Sequence, residues 1–144
     1  MHAPGIALVV RSSVALDSGT FLPWTAAMTD DSLAGLTERL RRFAAERDWE
    51  QFHSPKNLAI GVAAEAGELA AEFQWIEGAD SYCPEAAHLE RIRHESADVL
   101  LYLVRLADRL QFDLVAAAEE KIGLNAVKYP VEKFRGSSRK YSED

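Results

Sequence analysis

The chain has 144 residues, 48% hydrophobic and 27% charged, which is ordinary usage for one globular domain and excludes a disordered or collagen-like polymer. Its formal charge of −7 leaves no basic surface to attract a nucleic-acid polymer or an anionic membrane. No apolar run reaches the ~18 residues of a membrane span, and the single Cys83 allows no internal disulfide and fits a reducing cytoplasm.

Residues 1–27 lack a sustained helical period and read as an irregular leader, expected to be dispensable. Met28-Thr29-Asp30-Asp31-Ser32 looks like a fresh start followed by capping residues, so residues 28–144 are taken as the domain. A first helix is predicted from about Ser32 to Arg47, with Leu33, Leu36, Leu40 and Phe43 at helical spacing. A second begins at Pro55, with Ser54 as its cap, and is expected to run to just before Gly78. Pro84 and Glu85 open a third, which carries Leu89, Ile92, Val99, Leu103, Leu106 and Leu110. Asp113 caps a fourth that Tyr129-Pro130 ends, and a polar, irregular tail follows from Val131. With no period-two alternation, the expected fold is an all-α, compact four-helix bundle.

The second and third helices carry matching acid pairs, Glu65-Ala66-Gly67-Glu68 and Glu95-Ser96-Ala97-Asp98. At ~100° per residue, both pairs fall at the edge of the apolar stripe, with Trp75 beyond the first pair and Tyr102 beside the second. Like charges at this spacing disfavour a helix, and burying unpaired carboxylates costs several kcal/mol. A hard divalent cation such as Mg²⁺ relieves both penalties and keeps waters for a phosphate ligand. Solvated helix acids remain the alternative, since 23 acidic residues make such patterns common. The duplication at equal angular positions raises the metal reading, while solvated acids stay the plainer account of the pattern alone.

Other chemistries fit less well. Glu85-Ala86-Ala87-His88 matches a di-iron spacing once, without a second copy. No phosphate loop, dinucleotide fingerprint or serine-hydrolase elbow is present. Trp49, Trp75 and Tyr102 could stack on a planar base and His53 could touch its edge, although aromatics in helical proteins are more often core. Lys121, Asn125, Lys128, Arg139 and Lys140 form a local basic set able to hold a polyphosphate, with helix-terminal cations as the plainer account.

Taken together, these residues resemble the MazG-like all-α nucleoside triphosphate pyrophosphohydrolases. The resemblance rests on Glu65-x-x-Glu68 and Glu95-x-x-Asp98 with 26 residues between, spans roughly residues 32–142, and is closest to the dCTP pyrophosphatase branch. Arg47-Asp48-Trp49-Glu50-Gln51-Phe52-His53-Ser54-Pro55, Phe73-Gln74-Trp75, Asp98-Val99-Leu100-Leu101-Tyr102-Leu103-Val104 and Ser137-Ser138-Arg139-Lys140-Tyr141 all look like that branch. It implies that Glu65, Glu68, Glu95 and Asp98 bind Mg²⁺ and carry catalysis; on physical grounds a carboxylate not fully engaged as a ligand would orient the attacking water, with Glu68 the expected one. It implies a nucleoside triphosphate substrate, dCTP or a modified dCTP, cleaved between the α and β phosphates. Trp49, Glu50, Gln51, Phe52, His53, Trp75 and Tyr102 then enclose the nucleotide, while Lys121, Asn125, Lys128 and Tyr129 lie near the phosphates. A homotetramer or dimer is expected. Where the branch can carry a substrate-contacting histidine, nine residues before the tryptophan, this chain has Leu40, which bears on base selectivity. A non-catalytic module that oligomerises or senses nucleotides is the alternative function.

Overall fold

A computed structural model describes residue 30 and residues 32–140. Within them the chain forms α1 (Leu33–Ala45), α2 (Pro55–Ala71), α3 (Ala86–Leu110), α4 (Leu114–Lys128) and a short α5 (Val131–Phe134), with 3₁₀ turns at Trp49–Phe52 and Asp80–Tyr82. No strand occurs among the described residues, so the all-α reading holds. The leader, residues 1–27, lies outside them, as does Tyr141 of the tail.

Helix starts follow the capping chemistry that the sequence carries. The Ser32 hydroxyl accepts from the Gly35 amide at 3.0 Å and the Ser54 hydroxyl from Asn57 at 3.2 Å, with Pro55 in the first helical position. Asp113 accepts from both Val115 (2.8 Å) and Ala116 (3.0 Å). Each such cap is worth ~1 kcal/mol.

Two boundaries differ from the sequence reading. The second helix ends at Ala71 rather than continuing toward Gly78, because the ladder tightens: Phe73 bonds back to Ala70, Gln74 to Ala71 and Ile76 to Phe73. The side chain and carbonyl of Glu72 are held from α3, with His88 Nε2 2.9 Å from the carbonyl and Arg91 Nε 3.0 Å from the carboxylate. Trp75 therefore lies off the helix, and its placement beside the acids on a helical wheel fails. The tail from Val131 is not wholly irregular either; Pro130 sets an extended residue from which α5 turns.

The described chain divides into two compact units, one ending at Leu110 and one starting at Gln111. In the first, α2 lies along α3 and α1 also packs on α3. Gly61 makes the α2–α3 approach sterically feasible, since a Cβ there would sit 2.3 Å from Cε1 of the Tyr102 ring. Buried apolar residues are Ala44, Leu58, Tyr102, Val104 and Ala107, and Leu58 is the largest side chain fully enclosed. The apolar stripe expected on α3 is thus displaced: Tyr102 and Arg105 are buried while Leu89 and Leu110 are exposed. Flanking by two helices widens the covered face beyond one stripe.

In the second unit, Tyr129 caps α4 by donating its amide to the Asn125 carbonyl (2.8 Å) and packs edge-on against Phe134, ring centres 5.2 Å apart. Val115, Ile122, Leu124 and Val127 on α4 are exposed.

Candidate functional site

Glu65 comes from the middle of α2, and Glu95 and Asp98 from successive turns of the facing α3. One carboxylate oxygen from each lies within 4.8 Å of the other two, close enough for one cation to be shared. All three side chains are partly buried, whereas Glu68 is exposed one turn along α2. Burial pushes the Glu65 carboxyl above its usual range, and Asp98, Glu68 and Glu95 push it further. Glu95 is raised by burial, then by Glu68, Asp98 and Glu72. Asp98 is raised by burial and Glu68, against an opposing pull from His94. Glu68 repels all three of these groups, so it belongs to the same electrostatic cluster without belonging to the closest triad.

The mutual repulsion of these acids is opposed only by the pull of His94 on Glu95 and Asp98. Oxygen-only donors, partial burial and mutual repulsion are the conditions in which a hard divalent cation is favoured. The residues present fit Mg²⁺ on that chemistry.

Beside the acids is a cavity of about 310 Å³ in the first unit. Its apolar wall is Leu36, Leu40, Phe43, Leu58, Leu101 and Tyr102, and its polar members include His53, Asp98 and Arg105. Asp98 therefore belongs to both features: it is a vertex of the carboxylate triad and part of the cavity wall. Leu40, the position where the sequence suggested altered selectivity, also faces this space.

The aromatic segment before α2 is built differently from a stacking platform. Asp48 takes a left-handed conformation (φ 53°), and the Gln51 amide donates to its carbonyl (3.0 Å) and its carboxylate (2.8 Å). Gln51 is thus folded back on its own turn. Trp49 packs edge-on against Phe43 and His53, with ring centres 5.8 and 6.4 Å apart. His53 is 6% exposed, Phe52 lies outward, and Trp75 is 86% exposed and does not line the cavity. Of the aromatic set, the structure brings His53 and Tyr102 to one cavity and leaves Trp75 apart from it.

Glu50 is engaged inward. It pairs with Arg105 and, at 2.8 Å, with Arg109. Arg105 also donates to Asp108 (2.5 Å) and, through Nε, to His53 Nδ1 (3.3 Å), while Arg41 Nε donates to Asp108 (2.9 Å). Sequence reasoning missed Arg105 and Asp108. The available signal was helical: Asp98, Leu101, Tyr102 and Arg105 follow the i, i+3, i+4, i+7 pattern of one face, and all four line the cavity. Lys121, Asn125 and Lys128 share similar spacing on α4 and are exposed there, with Lys128 Nζ 5.6 Å from the Tyr129 ring centre.

Residues 60–143 match the model of the MazG-like family. The chain is 47% identical over 103 residues to dCTP pyrophosphatase 1 of Homo sapiens, covering 70% of this chain and 61% of that protein. It is 46% identical over 106 residues to dCTP pyrophosphatase 1 of Bos taurus, with the same shares covered. The chain thus spans about 61% of the length of these curated relatives. A crystal structure of a pyrophosphatase from Archaeoglobus fulgidus superposes with a TM-score of 0.60 at 35% identity, covering 68% of this chain and 92% of that one. On the family model, the helical fold and this structural likeness, the chain belongs to the MazG-like family.

Proposed function

We propose that the protein hydrolyses a deoxynucleoside triphosphate, dCTP or a modified dCTP, to the monophosphate and pyrophosphate in the presence of Mg²⁺. The observation that carries this reading is the double membership of Asp98. A group that both joins an acidic cation site and walls an apolar cavity puts a planar base within one nucleotide's reach of the metal. The similarity to dCTP pyrophosphatase 1 supports the substrate class.

Glu65, Glu95 and Asp98 hold the cation, with Glu68 completing the set as an exposed carboxylate one turn along α2. When bound, Mg²⁺ neutralises triphosphate charge and polarises the phosphorus under attack. Glu68, outside the closest triad, is the carboxylate we assign to orient the attacking water and accept its proton. Tyr102 and the leucines of α1 enclose the base. Trp49, Glu50, Gln51, Phe52 and Trp75 complete the nucleotide enclosure, and Lys121, Asn125, Lys128 and Tyr129 contact the phosphates, as the family likeness implies. The exposed apolar residues of α4 support a homotetrameric or dimeric assembly, which a light-scattering mass would test. No helix among the described residues is long and apolar enough to cross a membrane, and the single thiol suits a cytoplasmic protein.

The deciding experiment is a pyrophosphate-release screen over standard and modified nucleoside triphosphates with and without Mg²⁺. Release of pyrophosphate from dCTP, dependent on the cation, is the expected result. Release from purine nucleotides in preference would overturn the substrate assignment, and no release from any triphosphate would overturn the reaction.

A further inference from the structure

We propose that Arg105 is a positioning residue that fixes the tautomer of His53, so that the cavity offers an imidazole Nε2–H donor to an acceptor atom on the base. The inference rests on the nucleotide reading above and adds to it how the base edge is recognised.

Arginine is always charged and has no acceptor, so the 3.3 Å contact between Arg105 Nε and His53 Nδ1 has one polarity: Arg105 donates and Nδ1 accepts. An accepting Nδ1 bears no proton. The neutral ring then carries its proton on Nε2, its other polar atom. Burial lowers the His53 pKa, the Arg105 cation lowers it further, Glu50 pulls the opposite way, and Arg109 adds to the lowering.

Arg105 cannot itself serve as a phosphate clamp. Its side chain is 5% exposed, and its three nitrogens are committed to His53, Asp108 and Glu50. Those anions are in turn gripped by Arg41 and Arg109. The guanidinium is therefore fixed from both sides, and it passes that fixity to the imidazole. The cavity wall sets Leu36, Leu40, Phe43, Leu58 and Leu101 beside the charged Arg39, Arg42, Glu46 and Arg47, and a neutral donor next to the apolar members suits a neutral heteroaromatic ring with an acceptor edge. Cytosine, with its ring nitrogen and carbonyl oxygen, is such a ring.

The test uses the full chain labelled with ¹⁵N, with His53→Gln assigning the His53 signals. A long-range ¹H–¹⁵N spectrum near neutral pH should show an unprotonated Nδ1 and a protonated Nε2. Arg105→Lys keeps a cation for Glu50 and Asp108 but lacks the Nε–H at that point. It should mix the tautomers and raise KM for dCTP about tenfold while kcat changes less than about twofold, the loss of one well-placed hydrogen bond. His53→Phe should raise KM by a similar factor, and adding Arg105→Lys to it should cost nothing further. A protonated Nδ1 in the wild type, or losses that add in the double variant, would overturn the proposal. Should Arg105→Lys fail to fold, the wild-type spectrum and the KM of His53→Phe decide: an unchanged KM overturns the base contact. A wild type that hydrolyses no triphosphate defeats the nucleotide reading and the base contact with it, while the tautomer is still read directly.

Discussion

Helix α3 carries two acidic groups ten residues apart that have opposite fates. Glu95 and Asp98 meet Glu65 across the α2–α3 contact, where only the pull of His94 opposes burial and mutual repulsion, and all three carboxyls are raised. Asp108 is also pushed up by burial, yet bonds and charge from Arg41 and Arg105 outweigh that and hold it below its usual range. The same residue types on the same helix therefore report different work. Satisfied acids knit elements together; unsatisfied acids wait for something the chain does not supply.

The contrast breaks most sharply at the unsatisfied group. Glu65→Gln or Asp98→Asn should cut Mg²⁺-dependent turnover by at least the ~10–100-fold that losing an outer partner of a metal ligand costs, with helicity kept by circular dichroism. Apo stability should stay equal or rise slightly as repulsion is relieved. Wild type should gain Tm on adding Mg²⁺ and these variants should not, because a ligand that binds only the folded state stabilises it. Wild-type turnover in both variants would return the acids to the class of solvated charge.

The satisfied group should respond in the other currency. Arg105→Met removes the buried central cation and leaves Asp108 to Arg41 and Glu50 to Arg109; it is expected to cost about 2–3 kcal/mol by chemical denaturation, below the full loss for an acid left buried and unpaired. A change under about 1 kcal/mol would mean that the network is not structural. At the crossing of α2 and α3, Gly61→Ala should cost about 1–3 kcal/mol by overpacking against Tyr102. If stability is unchanged, the helices have room to separate there.

Acidity sharpens the comparison further. Glu65, Glu95 and Asp98 bind protons more tightly folded than unfolded, so their contribution is fully present below the unfolded carboxyl range and is lost as pH rises through the raised folded values. Asp108 runs the opposite way: its contribution is present above the unfolded value and lost as pH falls through the lowered folded one. Without metal, Tm should therefore rise on mild acidification from neutrality before falling in stronger acid. Glu65→Gln should flatten the rise and leave the fall, whereas a monotonic decline in the wild type would contradict the raised carboxyls.

Local chemistry made much of this legible in the sequence. Ser32, Ser54-Pro55 and Asp113 mark helix starts through bonds that reach three residues or fewer, and the duplicated acid pairs marked the site because matched angular positions on two helices imply a shared space. What stayed hidden is non-local. Arg105 meets Glu50 and His53 more than fifty residues away, and a charged side chain at helical spacing looks like solvated surface until its partners are placed. The end of α2 was missed because Phe73, Trp75 and Ile76 continue a helical apolar rhythm, while the hold of His88 and Arg91 on Glu72 comes from another helix.

The left-handed backbone at Asp48 separates rigidity from stability. A side chain with a Cβ spends about 1 kcal/mol to sit there, and Gln51 clamps both the carbonyl and the carboxylate that result. Asp48→Gly would remove that strain but widen the unfolded ensemble by a comparable 0.4–1 kcal/mol, so the midpoint of unfolding should barely move. The carboxylate half of the clamp would be gone, however, and amide exchange from Trp49 to His53 should quicken. A turn of this kind acts as a latch whose grip can be loosened without melting the door it holds.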